Sequence, residues 1–95
     1  KISDFVVDES TYSVSVDGYP LDLTKIEFEI FIFLIKNRGK NVSREQIINA
    51  SALEYDTRAR TIDTHISNIR QKIGDDAKEP HYIKSVWGIG YKFIG

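Results

Sequence analysis

The segment Arg58-Ala59-Arg60-Thr61-Ile62-Asp63-Thr64-His65-Ile66-Ser67-Asn68-Ile69-Arg70-Gln71-Lys72-Ile73-Gly74 decides the fold. Its large aliphatic residues Ile62, Ile66, Ile69 and Ile73 are spaced by four, three and four, the interval that puts successive side chains on one face of an α-helix. The spacing predicts a helix over 58–73, with Gly74 closing it. With the isoleucines turned inward, the opposite face carries Arg60, Thr64, Ser67 and Gln71, with Asn68 beside them. Thr61, His65 and Lys72 lie on one flank, Asp63 and Arg70 on the other. The outward face holds no large apolar residue. An ordinary wet surface helix has the same periodicity, so the elements around it have to decide what it is for.

Upstream, Thr24 followed by Glu27 reads as a capping box, with Leu23 and Phe28 placed as a hydrophobic staple. A helix therefore starts at Thr24. Its apolar residues Ile26, Ile30, Phe31, Phe33, Leu34 and Ile35 cover more than half its circumference, as a central core helix requires, and it ends near Asn37. Ser43 and Gln46 form a second capping box, which opens a short helix through about Asn49. Residues 50–57 show no period and read as a loop. Before Thr24, Phe5-Val6-Val7 and the alternating stretch Tyr12 to Val16 read as strands, Asp17-Gly18 as a turn, and Leu21-Asp22-Leu23 as renewed alternation. Beyond Gly74, a polar loop over 75–81 leads to a hairpin. Tyr82 to Trp87 and Tyr91 to Ile94 are its arms, and Gly88-Ile89-Gly90 its turn. The predicted class is α+β: an N-terminal antiparallel sheet, three helices and a C-terminal β-hairpin, in the order of a winged helix-turn-helix.

Composition narrows the function. At 95 residues the chain is the size of one domain, and 1–95 is read as a single unit. It contains no Cys, which removes disulfides, thiolate metal sites and cysteine nucleophiles and suits a reducing compartment. The longest strongly apolar run, Ile30 to Ile35, has six residues, against roughly 20 for a membrane-spanning helix. The net charge is −1, unevenly spread: residues 1–30 carry two Lys against seven acids, and residues 57–95 seven Lys or Arg against four acids. A positive C-terminal part is the footprint of a surface that meets nucleic acid. His65 and His81 are the only histidines, and neither they nor the acids form a catalytic or metal-ligating pattern. The expectation is a binding module with no catalytic residue, metal or cofactor, not an enzyme.

Several separated segments then resemble one family. These are Leu21-Asp22-Leu23-Thr24 with Glu27-Phe28, Gly39 with Val42-Ser43-Arg44-Glu45, Arg60-Thr61-Ile62-Asp63-Thr64-His65-Ile66 with Ile69-Arg70-Lys72, and Val86-Trp87-Gly88-Ile89-Gly90-Tyr91. In order and spacing they resemble the OmpR/PhoB-type effector domain of bacterial two-component response regulators. The resemblance implies a cytoplasmic transcription factor that binds direct-repeat promoter sites on double-stranded DNA as a dimer, without a membrane partner. It also implies an N-terminal receiver domain, addressed by a cognate sensor kinase, so that this chain is expected to be a piece of a longer protein. Family positions that face DNA match Arg60, Thr64, His65, Asn68 and Arg70. The hairpin from Ser85 through Gly90 matches the wing. Members often carry Arg where this chain has Ser67 and Asn68, so fewer cationic contacts are expected along the helix.

Residue chemistry fills in the remaining expectations. Side chains able to pair with base edges occupy the centre of the outward face, and cations flank it where phosphates pass when a helix enters a major groove. Arg60 suits a guanine edge or a phosphate, Thr64 a thymine methyl, and Asn68 an adenine. Ser67 and Gln71 share that face. His65, Arg70 and Lys72 are expected at phosphates, as is Lys84 on the hairpin, and Ser85 in the wing. Asp63 is expected to orient Arg60 or Arg70. Trp87 is assigned to the DNA-binding set, against the tendency of Trp to be buried in a core. Glu54, Tyr55 and Asp56 fall in the family segment that touches RNA polymerase.

Overall fold

The computed structural model describes residues 5–50 and 59–95, with side chains in the second stretch from Thr61 onward. Three strands open the described chain: β1 (Phe5–Asp8), β2 (Ser13–Val16) and β3 (Tyr19–Pro20). They pair antiparallel in the order β1-β2-β3, with Phe5 opposite Val16 and Val7 opposite Val14. The two-residue period sends Phe5 and Val14 into the core and leaves Val6 and Asp8 outside.

Helix α1 (Lys25–Lys36) begins as its capping box dictates. The Thr24 hydroxyl accepts from the Glu27 N–H at 3.2 Å, and the Glu27 carboxylate accepts from the Thr24 N–H at 3.0 Å. It buries Phe28, Ile30, Phe31 and Leu34. Helix α2 (Arg44–Ala50) has the same device, with Ser43 and Gln46 bonded reciprocally at 2.8 and 3.0 Å. Helix α3 (Ala59–Ile73) buries Ile62, Ile66, Ile69 and Ile73, the four isoleucines of the stripe. Both α1 and α2 pack against it.

Two short elements escape the sequence pattern: β3 stands at Tyr19–Pro20, ahead of the alternation expected over Leu21-Asp22-Leu23, which forms no strand, and the other joins the closing hairpin. The closing hairpin, β5 (Ile83–Val86) and β6 (Gly90–Phe93), is joined by a two-residue strand, β4 (Val42–Ser43), giving the order β4-β6-β5. Two residues carry no readable period, and Ser43 doubles as the cap of α2. Gly90 explains the close pairing. A Cβ there would run into the Val42 carbonyl oxygen and lie 2.9 Å from the Ser43 Cα, so any side chain at position 90 pushes β4 off the sheet.

The two sheets meet through aromatics. The Phe5 ring contacts Phe31 edge-on at 5.2 Å and Tyr82 at 4.9 Å, and Phe31 contacts Phe93 at 5.9 Å. The loop before β5 is held by Asp75, whose carboxylate accepts the N–H groups of His81, Tyr82 and Ile83. The described elements follow the winged order expected above, and the hairpin is locked beside α3.

Candidate nucleic-acid interface

The outward face of α3 is available. Thr64, Ser67, Asn68 and Gln71 are all exposed. The first two turns of this face begin at Arg60, whose side chain lies outside the described residues, as do Glu54, Tyr55 and Asp56 of the expected polymerase segment. His65 is half-buried and stands toward α1, near enough to Glu27 for its charge to act on that carboxylate.

The flanking cations are arranged differently from the expectation. Arg70, expected at a phosphate, is only 9 % exposed. Its Nη2 donates to the Ile83 carbonyl at 2.8 Å and to the Ser85 hydroxyl at 3.0 Å, and Nε also reaches the Ile83 carbonyl at 3.3 Å. Position 70 follows Ile66 by four and precedes Ile73 by three, so Arg70 leaves the helix beside the buried stripe and meets β5. It ties α3 to the hairpin. Lys72, expected at a phosphate as well, is bound to the Glu27 carboxylate at 2.6 Å. Glu27 itself is 3 % exposed. Burial pushes its carboxyl up, but the Lys72 hydrogen bond and charge, the Thr24 N–H and the nearby His65 outweigh that and hold it below the ordinary glutamate range.

Asp63 was expected to orient Arg60 or Arg70, but its ion-pair partner is Arg44 at the start of α2, with Nε 2.8 Å from Oδ1. The same oxygen accepts the Tyr91 hydroxyl of β6. Burial raises the Asp63 carboxyl; the hydrogen bonds from Arg44 and Tyr91 overcome this and lower it. Tyr91 moves the other way, pushed up to about 12 by burial and by the Asp63 carboxylate. The guanidinium carbons of Arg44 and Arg70 stand 5.5 and 5.7 Å from the centre of the Tyr91 ring. Four elements are thus joined through one carboxylate, one phenol and two guanidiniums.

On the hairpin, Trp87 is 98 % exposed, which overturns the core reading that base rates favour. The cause is its place in the turn. The Ile89 N–H donates to the Val86 carbonyl at 3.0 Å, closing a four-residue turn in which Gly88 takes a φ of +75°. Trp87 is the second residue of that turn and projects beyond the sheet. Lys84 and Lys92 stand directly opposite one another across β5 and β6, a like-charge pair that is unfavourable without an anion nearby. Ser85 is exposed as well.

The family described as "Transcriptional regulatory protein, C terminal" matches residues 18–93. The chain belongs to this family. The response regulator DrrB, an OmpR/PhoB homolog from Thermotoga maritima, is 40 % identical, with a TM-score of 0.87 over 100 % of this chain and 43 % of its own. The RstA DNA-binding domain of Klebsiella pneumoniae, solved in complex with the RstA box, is 27 % identical with a TM-score of 0.87, covering 99 % of this chain and 94 % of that one. The response regulator ArlR of Staphylococcus saprophyticus is 38 % identical over 95 % of this chain. This OmpR/PhoB-type effector domain spans 41 % of the length of ArlR, about two-fifths of a full response regulator. Among its described residues, no helix is long and apolar enough to cross a membrane.

Sequence reasoning missed Arg44, Tyr91 and Glu27 as members of the surface around α3. One signal for Glu27 was present. It precedes Ile30 and Phe31 by three and four residues, in line with the buried face of α1, and a carboxylate there needs a cation.

Proposed function

We propose that this chain is the sequence-specific, double-stranded DNA-binding domain of a response-regulator transcription factor, with α3 in the major groove and the β5–β6 hairpin as its wing. The observation that carries the reading is the face of α3 opposite its isoleucine stripe. Ser67, Asn68 and Gln71 are exposed there with neutral hydrogen-bonding groups, and the face has no apolar anchor of the kind a protein-binding helix presents. Thr64 and, from its place in the sequence, Arg60 complete the base-reading set. His65, Lys84, Ser85 and Trp87 border it. The likeness to the RstA domain, which was solved with a DNA site, supports the same docking.

The wider assembly follows the family. The chain acts in the cytoplasm beside a receiver domain under a sensor kinase, pairs on direct repeats and meets RNA polymerase through the segment around Glu54, Tyr55 and Asp56. It is a binding module without catalytic chemistry. The first test is selection of sites from a random duplex pool, repeated with Asn68→Ala. The expected result is a half-site repeated about one helical turn apart, with one base position relaxed in the variant at about 1–3 kcal/mol. Equal losses on selected and random duplexes would remove Asn68 from base reading, and failure to enrich any site would remove the DNA-binding reading itself.

A further inference from the structure

Glu27 in the first turn of α1 and Lys72 in the last turn of α3 meet on the flank of the helix that also bears His65. Their charged atoms stand 2.6 Å apart. We infer that Glu27 is a positioning residue for DNA binding: it withholds the Lys72 ammonium from the phosphate backbone and so limits how many phosphates the domain neutralises. The inference rests on the DNA-binding reading above and extends it to two residues which that reading does not use.

The hold on Lys72 is strong. Its Nζ donates to Oε1 of Glu27, the same oxygen that accepts the Thr24 N–H at 3.0 Å. The Glu27 side chain is nearly fully buried, and that of Lys72 is partly exposed. Burial opposes ionisation, yet the carboxyl is held below the ordinary glutamate range, so at neutral pH Glu27 is an anion inside the protein. Such an ion needs a cation, and taking its partner away is strongly destabilising. A phosphate at the rim of a groove offers Lys72 less, because mobile counterions already neutralise it. The buried pair therefore outlasts the encounter with DNA.

Released, Lys72 would be well placed for DNA. It follows Gln71 of the outward face by one residue and lies at the protein surface. Arg70, the other cation of that last turn, is likewise turned inward, to the Ile83 carbonyl and Ser85. A phosphate contact adds affinity without sequence information. Withholding one loosens the grip on every duplex alike and makes binding less sensitive to salt. A copy that holds its half-site loosely depends more on a second copy bound beside it, as the repeated sites proposed above would provide.

The test compares the chain with Glu27→Gln, Lys72→Gln and the double variant, each checked for native circular dichroism, in salt titrations on selected and random duplexes. Gln suits the third helical position of a capping box, so Glu27→Gln keeps the bond from Thr24 while giving up the charge that claims Lys72. The released lysine should make the slope of log K against log salt steeper by about 0.9 and raise affinity for both duplexes by roughly five- to tenfold at about 0.1 M salt. The double variant, whose net charge equals that of the unmodified chain, should return both quantities to the original values. A gain that survives in the double variant does not come from Lys72 and overturns the inference, as does an unchanged slope in folded Glu27→Gln. Should Glu27→Gln not fold, Lys72→Gln decides the point: its slope should match that of the unmodified chain, and a slope shallower by about 0.9 would show Lys72 already on a phosphate. These outcomes leave DNA binding intact. An unmodified chain that binds no duplex overturns both readings.

Discussion

The two sides of α3 use polar residues in opposite ways. On its outward face Ser67, Asn68 and Gln71 stand exposed, whereas on its flanks Asp63, Arg70 and Lys72 are bound to α2, β5, β6 and α1. The charges of this helix are therefore largely structural, and its neutral groups are the ones left to recognise a ligand. Counting cations along a helix overstates what it offers to phosphate. Each cation drawn inward fixes a neighbour, and together they set the angle at which the exposed amides and hydroxyls are presented.

The largest expected effect contrasts adjacent residues. Ile66 is fully buried in the centre of the stripe and Ser67 is exposed beside it. Ile66→Ala should destabilise the domain by about 3–4 kcal/mol, as large-to-small changes in a packed core do. Ser67→Ala should stay within about 0.5 kcal/mol, as surface changes do. Urea unfolding measures both. Similar losses for the two would mean that α3 is not turned as described.

A middle-sized effect probes the flank. Arg70→Ala leaves the buried Ile83 carbonyl without the guanidinium that satisfies it, at a cost of about 2–3 kcal/mol for a charged hydrogen bond. If Arg70 only met phosphate, stability would be untouched and DNA affinity alone would fall. Unfolding measured without DNA separates the two directly. A loss of stability in the absence of any nucleic acid is the expected outcome.

What was legible in the sequence was local. The isoleucine stripe and both capping boxes rest on contacts three or four residues apart, and each appears where the spacing put it. What was not legible joins distant positions: Glu27 to Lys72 across 45 residues, Asp63 to Tyr91 across 28, Arg44 to Asp63 across 19. Such pairs depend on how helices and strands cross, which no short period encodes. Strand β4 was hidden because two residues cannot display alternation. Trp87 shows the reverse case, where a general tendency to burial gave way to a local fact, its place in the turn ahead of Gly88.

The smallest effect at neutral pH belongs to Tyr91, whose hydroxyl joins the flank of α3 to the hairpin. Tyr91→Phe removes one hydrogen bond and leaves Asp63 its ion pair with Arg44, so a loss of about 1 kcal/mol is expected. The pH dependence is more telling. Asp63 and Glu27 are held below their ordinary values of 3.8 and 4.5, so their contribution is present above those values and is lost as the pH falls through the lower folded ones. Tyr91 is raised from 10.0 to about 12, so its contribution is complete below pH 10 and is lost as the pH rises toward 12. Urea midpoints followed across pH should decline at both ends, and Tyr91→Phe should remove the tyrosine component of the alkaline decline while sparing the acid one. In the folded protein, absorbance at 295 nm should show a tyrosine ionising at about 12, and that step should vanish in Tyr91→Phe. Its survival in the variant would assign it to another tyrosine and detach the phenol from Asp63, leaving the Arg70 bonds to Ile83 and Ser85 to join α3 to the wing.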